Sequence, residues 1–156
     1  TLAATALMEV VFARDAADLD TASILSRHVE WEEREREIRE TFAAIPSVED
    51  VVTTCREKHL TGQKLEERIE LIRANWETMR REVSRQMLPY AELKELLMRA
   101  ACPVEPGQIN LTRKRVMETF FSAQMIRNRY TILDLAFDLG WLSECVREIS
   151  NSKTYL

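Results

Sequence analysis

The segment 131–140, TILDLAFDLG, constrains the fold more than any other part of the chain. Thr131, with Asp134 three positions later, is the aspartate form of a capping box and predicts the start of a helix, and Gly140 predicts its end. Between these signals the apolar residues cover nearly the whole circumference, while Asp134 and Asp138 mark the only polar stripe. Because a short helix that is apolar almost all round packs among other helices, we expect this helix at the centre of an all-α core.

Helical periodicity continues through the rest of the chain, and no segment shows the alternation of a strand. The 3 Gly and 4 Pro residues are also few for a sheet protein with its many turns. The longest pattern, from Leu65 to Met87, has apolar residues at spacings of three and four and predicts a helix of about seven turns. The sequence thus predicts a multi-helix bundle of about eight helices in a single domain, 1–156. The other helices are predicted over 2–14, from Asp20 or Thr21 to Ile45, where Pro46 ends the helix, over 47–58, 90–101 and 112–128, and after a cap at Ser143.

Composition narrows the partners and the compartment. At 156 residues the chain has the size of one domain. Its formal net charge of −4 gives no general attraction to nucleic acid or to an anionic membrane. Three widely spaced Cys do not form a disulfide framework, and the sequence has neither a signal-peptide pattern nor an apolar run of transmembrane length. We therefore expect a cytoplasmic protein with no membrane span and no nucleic-acid partner.

The predicted helix that ends before Pro46 carries a run of charged residues. Its Glu-to-Arg pairs lie four residues apart, a spacing at which each pair stabilises a helix by about 0.2–0.5 kcal/mol. A charge run of this kind is typical of a solvated surface, so we predict that most of this segment faces water. The pairs are Glu30–Arg34, Glu32–Arg36 and Glu35–Arg39.

Few residues point to chemistry by their spacing. Cys55 and His59 lie four apart on one helical face, but a metal site needs three or four ligands, and His28 and Cys102 are the obvious candidates to complete one. We therefore favour the interpretation that Cys55 is a buried cysteine and His59 a surface histidine, and that neither binds a metal. The sequence has no GxGxxG motif and no P-loop, so it predicts no nucleotide cradle.

Asp134 and Asp138 face the same way and resemble the paired carboxylates of general acid–base sites. A capping Asp and a surface Asp explain them without any chemistry, and we favour that interpretation.

Basic side chains occupy both ends of the helix that precedes the capping box. Arg113, Lys114 and Arg115 lie in its first turn, where the helix dipole disfavours cations, and Arg127 and Arg129 follow its end. One interpretation is an anion-binding site, and the other is a solvated basic end that balances the acidic second helix. At a rise of about 1.5 Å per residue, the two groups are too far apart to hold one phosphate.

The segment 123–136, AQMIRNRYTILDLA, resembles the C-terminal helical domain of bacterial glycerol-1-phosphate dehydrogenases. These enzymes belong to the superfamily of iron-containing alcohol dehydrogenases and dehydroquinate synthases. Looser similarities follow in the same order along most of the chain. They are KHLTG at 58–62, KL at 64–65, IRxxW at 72–76 and the loop sequence at 97–106.

The resemblance implies that the chain is a C-terminal fragment of a two-domain enzyme. Such an enzyme uses NAD or NADP and a divalent metal (zinc, nickel or iron) to reduce dihydroxyacetone phosphate to sn-glycerol 1-phosphate. One Asp and two His hold the metal, and the last His precedes a Gly that leads into a small-residue helix. Residues 1–11 are similar to that helix, so we expect the first helix to be cut from an upstream α/β nucleotide-binding domain.

The same resemblance implies that no catalytic, cofactor-binding or metal-binding residue lies in this chain, and that the chain alone is inactive. Its contribution would be one wall of a cleft for a small phosphorylated substrate. Arg127 is the candidate for the substrate phosphate, because it flanks the segment most specific to the family. A homo-oligomer is also compatible with the resemblance.

A hypothesis from another class makes the chain a stand-alone helical module for protein interaction or oligomerisation, without activity. Trp31, Trp76 and Trp141 would provide its contacts. Within the superfamily, a sister activity such as glycerol dehydrogenase also stays open. Sequence upstream of Thr1 would discriminate, since a His followed by a Gly behind an α/β half favours the enzyme.

Overall fold

A computed structural model describes residues 1–155 of the chain, apart from the side chain of Asp18. These residues contain no strand, which confirms the all-α prediction. Two short 3-10 helices, Ala16–Asp18 and Pro106–Ile109, lie in the connections. The α-helices of the described residues are α1 (Leu2–Phe12), α2 (Thr21–Arg27), α3 (Trp31–Thr41), α4 (Val48–Lys58), α5 (Gly62–Gln86), α6 (Tyr90–Arg99), α7 (Arg113–Met125), α8 (Ile132–Asp138) and α9 (Leu142–Asn151).

The main core lies where α1 packs against α6, α8 and α9. Helix α5 contributes the stripe that its spacing predicts, and this stripe is fully buried over its first half, from Leu65 to Trp76. The side chains that are almost completely removed from solvent include Leu7, Val11, Leu65, Ile69, Tyr90, Leu139, Cys145 and Ile149.

A smaller apolar cluster lies between α3, α4 and the end of α7. It consists of Ile38, Phe42, Val52, Cys55 and Met125. Helix α7 contacts α3 and α4 on one side and α8 and α9 on the other. The main core and the smaller cluster are therefore held together through α7.

Helix α8 begins and ends as its sequence predicts. Thr131 is the N-cap, and its amide donates to the Asp134 carboxylate over 2.8 Å, which completes the capping box. At the other end Gly140 has a φ of +69°, a left-handed conformation that favours glycine. The amides of Gly140 and Trp141 donate to carbonyls in the last turn of the helix, which is the Schellman arrangement.

The face of α8 that is most deeply buried is not the one that the prediction placed in the core. Asp134 and Asp138 are only 2% and 3% exposed, so the surface position predicted for Asp138 is wrong. The periodicity identifies the polar stripe correctly, but it does not reveal the partners that allow this stripe to be buried. Three apolar side chains of the helix are instead only partly buried, namely Ile132, Leu133 and Phe137.

Three predicted helix boundaries are wrong. The helix predicted to run continuously to Ile45 is divided into α2 and α3, because His28 and Glu30 have extended backbone, and α3 already ends at Thr41. The cap predicted at Ser143 is not formed, since α9 begins at the preceding residue with Trp141 as its N-cap and no side-chain cap.

The prediction that the charged run faces solvent is wrong for Arg34, whose side chain is buried and only 3% exposed. Arg34 lies between Trp31 and Ile38 on the stripe of α3, and this helix packs against α4 and α7. Its ion pair is with Glu37, at 2.5 Å, rather than with Glu30. Of the predicted pairs, Glu35–Arg39 forms, at 2.7 Å.

Replacement of Leu135 with Asp should unfold the protein, because an unpaired charge in the main core costs several kcal/mol. Leu71→Asp is the matched control, since Leu71 lies on α5 and is 66% exposed. Thermal melting followed by circular dichroism, with both variants beside the parent, measures the effect. A Leu135→Asp variant that melts like the parent would show that α8 does not lie in the core.

Candidate functional site

An open groove of about 760 Å³ crosses one face of the described structure. Its walls are the first turn of α1, the loop 103–111, helix α7 and residues 131–133. The volume is typical of small-molecule sites, which span about 300–1,000 Å³. The lining is mainly apolar, and Ile109, Leu111 and Ile126 within it are 52%, 39% and 48% exposed. We call this feature the groove.

Arg127 brings a positive charge to the groove. Its exposed side chain lines the groove beside Thr131, and within residues 1–155 it has neither an ion pair nor a hydrogen-bonding partner. Glu105 also lines the groove, but it is paired with Lys94 at 2.5 Å. Apolar walls with a free guanidinium are suited to a small molecule that carries an anionic group.

The basic residues at the start of α7 have structural partners instead. Arg113 Nη2 donates to three backbone carbonyls at the end of α9 over 2.8–2.9 Å, those of Ile149, Ser152 and Tyr155. Because the C-terminus of a helix is the negative end of its dipole, it favours a cation. The unfavourable place of Arg113 in its own helix is thus offset by α9, and no anion is needed to explain it. The next two residues pair with Glu118 at the surface.

The carboxylate of Asp134 is the centre of a buried hydrogen-bond network. Its Oδ2 accepts from the Thr131 amide and hydroxyl, each at 2.8 Å. Its Oδ1 accepts from Lys58 Nζ at 2.6 Å and from Gln124 Nε2 at 2.9 Å. Lys58 also donates to the Gln124 carbonyl, and Arg34 donates to the Gln124 side chain. We call Arg34, Lys58, Gln124, Thr131 and Asp134 the Asp134 network.

The Asp134 network joins α3, α4, α7 and α8 between the main core and the smaller cluster. Because two donors occupy each oxygen of Asp134, the carboxylate has a structural role and is not available as a base. Sequence reasoning found the capping role of Asp134 but missed Lys58, which is 76 positions away. The one available signal was Gln124, a polar residue between the apolar Ala123 and Met125.

Asp138 has its own partners, distinct from those of Asp134. Tyr130 donates its hydroxyl to Asp138 Oδ2 over 3.0 Å, and Arg68 Nη1 donates to the same oxygen over 3.3 Å. Burial raises the pKa of Asp138 to about 6, although both donors lower it. Burial also raises the pKa of Tyr130, and the adjacent Asp138 carboxylate raises it further.

Cys55 and His59 do not converge on a metal-binding arrangement. Cys55 is buried in the smaller cluster, and burial raises the pKa of its thiol. His59 is half-buried rather than on the surface, and its ring stacks on that of His28 with centroids 5.4 Å apart. Cys102 is exposed. In the part of the chain that the structure describes, no three His, Cys, Asp or Glu side chains lie close enough together to hold a metal ion.

The tryptophans considered as docking contacts are used inside the molecule. Trp76 is 2% exposed, stacks with Phe12 at 5.2 Å and lies edge-on to Trp141 at 5.6 Å. Trp31 is half-buried, and its indole donates to Glu35 over 3.0 Å. A docking role for Trp76 is therefore wrong, because its side chain belongs to the main core.

Comparison with known proteins gives no relative. No protein-family model matches the sequence, no curated protein is significantly similar to it, and no solved structure is significantly similar to its fold. None of the helices in residues 1–155 is both long enough and apolar enough to cross a membrane.

Asp138→Asn should change how stability depends on pH between about pH 4 and 6. The pKa of Asp138 is raised from 3.8 to about 6 in the folded protein, so the folded state binds more protons in this window and stability falls as the pH rises through it. Asn does not titrate, so the free energy of unfolding of the variant, relative to the parent, should rise by on the order of 1–3 kcal/mol across the window.

Urea unfolding of both proteins at the two ends of this window measures the difference. Asp50→Asn is the control, because Asp50 is exposed. A difference between Asp138→Asn and the parent that stays constant with pH would show that Asp138 titrates like an ordinary surface carboxylate.

Proposed function

We propose that this chain is the helical domain of an NAD- or NADP-dependent, metal-dependent dehydrogenase that acts on glycerol 1-phosphate and dihydroxyacetone phosphate. The groove is one wall of the substrate cleft, and Arg127 binds the substrate phosphate. The chain by itself is inactive, and an upstream α/β nucleotide-binding domain supplies the cofactor site.

One observation about the groove carries the proposal. The first turn of α1 and Arg127 line the same groove, although they come from opposite ends of the chain. By the resemblance, a metal-binding His and a Gly precede the segment similar to residues 1–11. The residues that would hold the metal therefore lead into the first turn of α1, and Arg127 lines the same groove as that turn.

Arg127 suits a phosphate for two reasons. A guanidinium binds phosphate oxygens through two parallel hydrogen bonds, which fixes orientation as well as charge. Apolar side chains such as Ile126 and Ile132 line the groove beside it, and a surrounding of low polarity strengthens the attraction between opposite charges. Arg127 needs to break no existing contact to bind an anion, since the described residues give it no partner.

The residues of this chain do not themselves fit a metal or a nicotinamide cofactor. The described residues hold no cluster of three metal-binding side chains, and the sequence has no Gly-rich nucleotide motif. In the proposal both groups are bound by residues upstream of this chain. The chain therefore contributes substrate binding, and no chemical step is assigned to it.

The second candidate is a helical module that binds another protein through the groove. The large apolar side chains Ile109 and Ile126, about half exposed, favour it. This candidate differs from the first in predicting no turnover and no preference of Arg127 for a phosphorylated small molecule.

Oxidation of NADH or NADPH with dihydroxyacetone phosphate tests the proposed activity. We expect turnover by the intact, metal-loaded protein and none by this chain alone. Absence of turnover by the intact protein would contradict the proposed dehydrogenase activity. Turnover by this chain alone would show that the metal and cofactor sites lie within it.

Arg127→Met in the intact protein should raise the KM for dihydroxyacetone phosphate by about 10- to 100-fold, because a hydrogen bond to a charged group contributes roughly 1.5–3 kcal/mol. The KM for unphosphorylated dihydroxyacetone should change little. Arg129→Met is the matched control, since Arg129 is also exposed but does not line the groove. An equal change in the two KM values, or no change in either, would show that Arg127 does not bind the substrate phosphate. The proposed dehydrogenase activity would not be contradicted by that result.

A further inference from the structure

Two histidines form a pair that the proposed function does not use. His28 directly follows α2, and His59 directly follows α4. Their rings stack with centroids 5.4 Å apart and an interplanar angle of 27°. The backbone of Leu60 lies near enough to the His28 ring, and the backbone of Val29 near enough to the His59 ring, to raise the pKa of each imidazole slightly. The pair therefore joins residues 28–30, which we call the α2–α3 link, to residues 59–61, which we call the α4–α5 link.

The surroundings of the pair suit neutral imidazoles. Phe137 lies edge-on to His28 at 5.0 Å, and Trp31 lies edge-on to His59 at 5.5 Å. The Nε2 atom of each ring is buried and has no hydrogen-bonding partner in residues 1–155. Protonation would bury an unpaired N–H donor together with a charge, which costs more than an unpaired lone pair.

The charged groups that face the pair are cations. Arg34 of α3 acts on both rings, Arg27 of α2 lines a small cavity beside His28, and Arg56 of α4 lies 5.3 Å over the Trp31 ring. Among the described residues, no carboxylate is close enough to either ring to affect its pKa. Three buried or partly buried carboxylates nearby have other partners: Glu35 pairs with Arg39, Asp134 with Lys58, and Asp138 with Arg68.

We propose that the His28–His59 pair is an acid-sensitive latch, which holds the α2–α3 and α4–α5 links together while both rings are neutral and releases them when the rings bind protons. Two imidazolium rings at the stacking distance would repel each other and Arg34. The released rings would reach water, and the main core around α1, α8 and α9 would keep its packing.

The electrostatics of the pair agree with this geometry. Burial, the charge of His59 and the charge of Arg34 lower the pKa of His28 from 6.5 to about 4. Burial and Arg34 also lower the pKa of His59. The latched state therefore binds fewer protons than the released state, and it loses stability as the pH falls from about 6.5 toward 4. Release with uptake of one proton changes the ratio of the two states by up to about tenfold per pH unit, and uptake of two by up to about a hundredfold.

The readout must be local, because Asp138 binds a proton in an overlapping window with the opposite effect on global stability. Amide hydrogen exchange of the intact protein, corrected for intrinsic rates, is compared at about pH 7 and pH 5. We expect protection of α2 and of both links to fall at least about tenfold at the lower pH, while α9 keeps its protection. NMR titration of the two imidazoles should give pKa values clearly below 6.5 for both.

The control is His28→Asn combined with His59→Asn, because Asn keeps a side-chain N–H donor and does not titrate. In this variant the links should lose their pH dependence. If the double variant does not fold, His59→Asn alone should reduce the proton uptake from two toward one. Imidazole pKa values near 6.5, or the same pH dependence in the Asn variants, would overturn the latch.

Discussion

The buried carboxylate of Asp134 is the constraint on which the rest of the structure depends. An ionised carboxylate inside a protein is costly unless charged and hydrogen-bonding partners satisfy it. Here the partners come from the N-cap Thr131, from Lys58 on α4 and from Gln124 on α7. These donors reach Asp134 together only when α4, α7 and α8 have one particular arrangement. The network therefore specifies how the main core meets the smaller cluster.

The position of the candidate site follows from this arrangement. Because Gln124 and Asp134 are joined at 2.9 Å, the chain between them must turn back on itself outside the core. That turn exposes Arg127 at the groove and brings Tyr130 to Asp138. Arg34 belongs to the Asp134 network and its charge also lowers the pKa of both histidines. The network thus touches the groove through Thr131 and the histidine pair through Arg34.

Local signals in the sequence predicted the local structure well. The capping box of Thr131 and Asp134 and the left-handed Gly140 depend on residues within one turn, and both are present as predicted. Partners distant in sequence were not predictable in the same way, because no periodicity relates Lys58 or Arg34 to α8. The same reason explains Arg113, whose role depends on where α9 ends. Arg127 was identified as a candidate by resemblance, but the groove beside it arises only when α1 and the loop 103–111 pack near α7.

A double-mutant cycle between Lys58 and Asp134 tests the central claim most directly. Urea unfolding gives the free energies of the parent, Lys58→Met, Asp134→Asn and the double variant. If the pair is a buried and coupled interaction, each single change leaves an unsatisfied group and costs about 3 kcal/mol or more. The double variant should then lose at least about 2 kcal/mol less than the sum of the two. Losses that simply add would contradict the account, because they would mean that Asp134 does not depend on its partner from α4.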